Sequence, residues 1–155
     1  MEHSRFRRAG AAGLAFSLLL TASVLSGGSE PPTVEALKES VANAKAADRP
    51  ALCIHISEMQ LGDADRLYVL GDSGKAKASL ADVVAYAELA RDYAIQLHKH
   101  EKQSEIAIRK MARKLADMAR TVPHEDQEEI QNVIDRLQRI RDDLLAAMFS
   151  KDGKK

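Results

Sequence analysis

Apolar residues recur at spacings of three and four along most of the chain, the period of one face of an α-helix. Val34, Leu37, Val41 and Ala44 predict a short helix over residues 33–47, with Thr33 placed to cap its start. Asp48 offers a cap for a second helix that runs to about Leu70. Pro50 falls in its first turn, where a missing N–H costs little, and Leu52, Ile56, Met59, Leu67 and Leu70 are expected to share its inward face. Gly71-Asp72-Ser73-Gly74 reads as a turn in which glycine ends one helix and Asp72 or Ser73 caps the next.

From Ala76 the spacing continues without a slip. It picks out Leu80, Val83, Ala87, Ala90, Ala94, Leu97, Glu101, Ser104, Ile108, Met111, Leu115, Met118 and Val122. No glycine or proline interrupts residues 75–122. The pattern predicts a long central helix over about 74–121, roughly 72 Å at 1.5 Å per residue, or the same segment hinged near 100–104, where the seam turns polar. Unbroken phase tips the reading to one helix, and a proline at Gln103 would then cost roughly 3 kcal/mol. Pro123 ends the segment. A last helix over about 125–149 follows, striped by Ile130, Val133, Leu137, Ile140, Leu144 and Met148, with a polar tail at 150–155. The fold class is all-α: an antiparallel helical assembly of four or five helices, in a single domain over 33–149.

The first residues have a different character. Arg5, Arg7 and Arg8 precede an uncharged stretch from Ala9 to Leu25, which ends in Ser26-Gly27-Gly28-Ser29. Basic end, apolar segment and small-residue exit describe a secretory signal peptide over 1–28, followed by a linker over 29–32. An uncleaved membrane anchor is the alternative. Gly28 stands where a lipoprotein signal requires cysteine, so that lipid anchor is excluded.

Composition narrows the function. The 155 residues are 45% hydrophobic and 30% charged, with 23 basic and 23 acidic side chains, which suits one globular domain. Three phenylalanines, three tyrosines and no tryptophan disfavour a β-sandwich and the aromatic surfaces that bind sugars, haem or bases. The single cysteine, Cys53, excludes an internal disulfide and borders an apolar stripe, so it is expected to be buried. Without the leader the chain is weakly acidic, which opposes nucleic-acid binding.

Ala64, Leu67, Gly71-Asp72, Ala76, Leu80 and Val83 fall at the offsets of a tetratricopeptide repeat. Residues 60–87 thus resemble one tetratricopeptide-like helical hairpin. The resemblance implies close packing through small residues and, by analogy, a protein-binding scaffold.

Few residues suggest chemistry. His98 with Glu101, and His55 with Glu58, are each three apart on a helix, so each pair shares a face. With Glu105, the residues His98, Glu101 and Glu105, joined by His55, are candidate metal ligands. Nucleophile elbows, phosphate loops and dinucleotide fingerprints are absent, and neither catalytic residues nor a cofactor is expected. Charge is segregated, with an acidic excess over 30–72 and a basic one over 99–120. These bases are expected to face the acidic start of the last helix, an anion-binding face being the alternative. The leading expectation is a non-enzymatic exported protein, periplasmic or extracellular. It would act through a protein partner or self-association, with no nucleic acid and with membrane contact only through an uncleaved N-terminal segment. The alternative is a metal-binding helical bundle.

Overall fold

The computed structural model describes residues 32–152, so the expected leader, residues 29–31 of the linker and residues 153–155 of the tail lie outside the described residues. Within them the chain forms five α-helices and no strand: α1 (Val34–Asn43), α2 (Arg49–Val69), α3 (Ser73–Leu97), α4 (Glu101–Met118) and α5 (His124–Asp152). A short 3₁₀ turn at Ala46–Asp48 joins α1 to α2.

Most ends are where the sequence places them. Thr33 caps α1 by accepting from the Ala36 N–H at 3.3 Å. Asp72 caps α3 by accepting from the Lys75 N–H at 3.1 Å. Asp48 makes no cap, because the 3₁₀ turn already carries the backbone into helical geometry and runs straight into α2. Helix α5 continues to Asp152, past the expected end at 149.

The segment over 74–121 is two helices, not one. His98 and His100 both adopt left-handed backbone conformations, with φ of 53° and 66°. The His98 N–H bonds to the Ile95 carbonyl and the Lys99 N–H to that of Ala94, a Schellman closure of α3. Histidine is among the residues that tolerate this region better than most, which is how the chain breaks without glycine or proline. The apolar phase nevertheless survives the break: Glu101 and Ser104 are buried at the inward positions that the spacing assigns them.

Helices α2 and α3 form one antiparallel hairpin, α4 and α5 another. Ion pairs fix how they stack: Lys77 with Asp126 at 2.7 Å, Arg136 with Glu88 at 2.6 Å and Arg91 with Asp143 at 2.9 Å. The paired positions ascend together, so α3 and α5 run parallel. One core joins the four helices, with Leu80, Ile108, Leu115, Ile130, Leu137 and Leu144 fully enclosed. Close approach of α2 to α3 comes from small residues. Ser57, Ala64, Ala76, Ala87 and Ala90 are wholly buried, and the Ser57 hydroxyl donates to the Val83 carbonyl at 2.7 Å.

That closeness rotates α2 from the expected face. Its buried face is Cys53, Ile56, Ser57, Gln60, Leu61, Ala64 and Tyr68. Leu52, Met59 and Leu67 sit half-buried at the margin, and Leu70, expected inside, is 78% exposed.

Candidate functional site

The four candidate ligands do not converge. His98 serves the α3–α4 turn through its backbone, and its exposed ring nitrogen lies 3.9 Å from the Glu101 carboxylate. Glu105, one turn on, faces α5. Its carboxylate accepts from Arg141 Nε at 2.7 Å and lies 3.6 Å from Arg109 Nε, so two guanidinium groups occupy it. His55 is on the exposed side of α2. Among the described residues no group of three or more His, Cys, Asp or Glu side chains is arranged to hold a metal ion. Spacing puts Glu101 and Glu105 on one helix face, but the arginine that claims Glu105 comes from a different helix.

Cys53 is fully buried, as its place on the stripe implies. Burial pushes its thiol up to about 11, only partly offset by the Arg49 charge, so at neutral pH it is a protonated, apolar packing residue.

The basic residues of 99–120 find different partners from those expected. Lys114 pairs with Asp65 of α2 at 3.4 Å, Arg109 with Glu105 of its own helix, and Arg120 with Asp117. Asp126, at the acidic start of α5, is taken by Lys77 and by the Ser73 hydroxyl, which donates to it at 2.7 Å. The parallel packing of α3 and α5 causes this, since it brings the two helix starts together at one end. The Lys77 ammonium and the Ser73 hydroxyl hold the Asp126 carboxyl below its usual value of 3.8. Beside it the Tyr68 hydroxyl is buried, and among the described residues it has no hydrogen-bond partner. Burial, helped by Asp126, pushes that phenol up.

The feature that the sequence pattern misplaced is the tip of the α2–α3 hairpin. Val69 is 83% exposed and Leu70 78%, side by side at the last turn of α2. With Asp65 and Arg66 they line a depression of about 290 Å³. A larger cleft of about 640 Å³ runs from this tip toward α1, bordered by Glu35, Lys38, Gln60 and Asp82. Gly71, with φ of 78°, supplies the left-handed residue that turns the chain just after Leu70. The sequence carries a partial signal, the glycine directly after Leu70 that ends the helix there, while the exposure itself follows from the rotated face of α2.

The fold and these surfaces define an all-α helical assembly built from two stacked hairpins, with a short helix added at its start. Comparison with protein-family models, with curated proteins and with solved structures returns no match.

Proposed function

We propose that this is a non-enzymatic, exported helical protein that works through protein–protein contacts in the cell envelope, periplasmic or extracellular, and that the tip of the α2–α3 hairpin is one contact surface. The observation that carries the reading is the pair Val69 and Leu70. Scattered exposed aliphatic residues are ordinary, but two adjacent ones, almost wholly exposed beside a depression, offer anchors that a partner can cover. Arg66 and Asp65 at the rim add charge that selects the partner's orientation. The hairpin that bears the tip is also the stretch that resembles a tetratricopeptide repeat, which supports a scaffold or adaptor role by analogy alone.

The test places a photo-crosslinking amino acid at Leu70 in cells producing the full chain. We expect a discrete adduct, of one partner or of a second copy, that disappears when Val69→Asp is added. Light scattering on residues 29–155 distinguishes the two. A strictly monomeric protein that yields no adduct at Leu70 overturns the reading. The metal-binding alternative on His98, Glu101, Glu105 and His55 has no observation in its favour, because Arg141 engages Glu105 and the four side chains form no common site.

A further inference from the structure

Helix α1 stands apart from the rest of the packing. Its buried residues Val34, Leu37 and Val41 join a small cluster with Cys53, Ile56 and Ala90, separate from the core that α2 to α5 share. At ten residues it is too short to be stable alone in water, so it keeps its shape only while docked. Its polar ties are few and partly exposed. Lys38 Nζ donates to Asp82 at 2.6 Å and lies 5.6 Å from the centre of the Tyr86 ring. The Arg49 guanidinium reaches back across the link to the Ala42 and Ala44 carbonyls, both at 3.3 Å. The 640 Å³ cleft lies along the edge of α1, bordered by Glu35 and Lys38.

We infer that α1 detaches as a unit while α2 to α5 remain folded, and that the groove it uncovers between α2 and α3 is a docking site for an amphipathic helix of a partner protein. The template for that helix is α1 itself, with apolar side chains at i, i+3 and i+7 (Val34, Leu37, Val41) and a cation at i+4 (Lys38). The groove's floor combines the small Cys53 and Ala90 with the larger Ile56, all fully buried beneath the apolar side chains of α1. Met59, Tyr86 and Tyr93 form an adaptable, half-polar rim. Gln60 donates to Asp82 at 3.1 Å and so holds that carboxylate in place, which favours a cation at the i+4 position of the incoming helix, where α1 carries Lys38. Helix α1 is then an autoinhibitory occupant that a tighter-binding helix displaces. The identity of the occupant as a partner protein rests on the contact reading above, whereas the detachment of α1 does not.

Cys53, the only cysteine and buried beneath α1, reports on the event. Thiol labelling of the full chain in native buffer is expected to run at least 100-fold faster than global unfolding allows, with little dependence on urea at low concentration. Leu37→Ala should raise the rate at least tenfold and leave the main melting transition in place. Labelling that follows global unfolding in both proteins overturns the proposal. A synthetic peptide of residues 32–45, added to the Leu37→Ala chain, should slow labelling at least tenfold, and Asp82→Asn should weaken that protection at least fivefold. Absence of protection, or equal protection by a peptide carrying Lys38→Glu, overturns the helix site. A dimer formed by exchange of α1 assigns the groove to a second copy and overturns the partner. Leu70 and Lys38 line one cleft, but detachment of α1 is read by Cys53 labelling alone, so a missing Leu70 adduct leaves the labelling result intact.

Discussion

The two turns that flank α3 close with the same pair of backbone bonds and use opposite residues to do so. At the α2–α3 turn the N–H groups of Gly71 and Asp72 bond to the Tyr68 and Leu67 carbonyls. At the α3–α4 turn those of His98 and Lys99 bond to Ile95 and Ala94. Glycine takes the left-handed position in the first and histidine in the second, and there His100 adopts it again two residues on. The first turn is also tied across the fold, through Ser73 to Asp126 of α5. A left-handed residue with a side chain costs roughly 1–2 kcal/mol. The α3–α4 turn therefore exists because the hairpins on either side of it bury more than the turn costs. Local chemistry makes the first turn, and tertiary packing imposes the second.

Proline breaks this comparison most severely. Ala85→Pro, on the exposed side of α3, should lose about 3 kcal/mol or more, seen as a fall in urea midpoint. Gln103→Pro should stay within about 1 kcal/mol of the parent, because Gln103 lies in the first turn of α4. The first bond into that helix there runs from the Ser104 N–H to the His100 carbonyl. A loss at 103 as large as that at 85 would restore the single long helix.

Substitutions at the left-handed positions come next. Gly71→Ala should cost about 1 kcal/mol in thermal or urea melts, from backbone strain alone, since a Cβ there would meet nothing within 4 Å. His98→Gly should go the other way, gaining up to about 1 kcal/mol as relief of strain outweighs the added freedom of the unfolded chain. If His98→Gly destabilises, the turn is not strained and the contrast between the two turns fails.

The smallest effect is confined to acid. Asp126 has a folded value below 3.8, so its contribution is fully present above about pH 3.8 and is lost as pH falls through the folded value. Melting temperatures of the parent and Asp126→Asn should differ at pH 7 and converge below about pH 3.8. A constant gap across that window would show that the carboxylate's charge does not hold the first turn to α5.

How far the chain could be read follows the same division. The helical class, the Gly71 turn, the Thr33 and Asp72 caps and the inward phase of α3, α4 and α5 are local, and the spacing shows them. The break at His98–His100 left only one mark, the polar stretch of the seam that allows a hinge near 100–104, because no glycine or proline stands there and the apolar phase passes through it unchanged. Leu70 pointed inward on the expected stripe, but the small residues that draw α3 close shift the α2 contact face toward Cys53, Ser57 and Ala64. The ligand set failed for a related reason. Arg141 lies 36 positions beyond Glu105, and only the α4–α5 pairing brings it there.

Parallel packing of α3 and α5 has one more consequence. Each helix carries a macrodipole equivalent to about half a positive charge at its N-terminus. Side by side and pointing the same way, α3 and α5 bring two N-terminal half-charges together near Ser73 and His124. The C-termini of α2 and α4, which end at the same side of their hairpins, oppose them. Asp126 answers the α5 half-charge from inside. Glu125, Glu128 and Glu129, exposed around the start of α5, answer it from the surface. These acids stand in the first turns of α5, where its unpaired N–H groups favour negative charge, and reversing their charge would weaken that end of the helix.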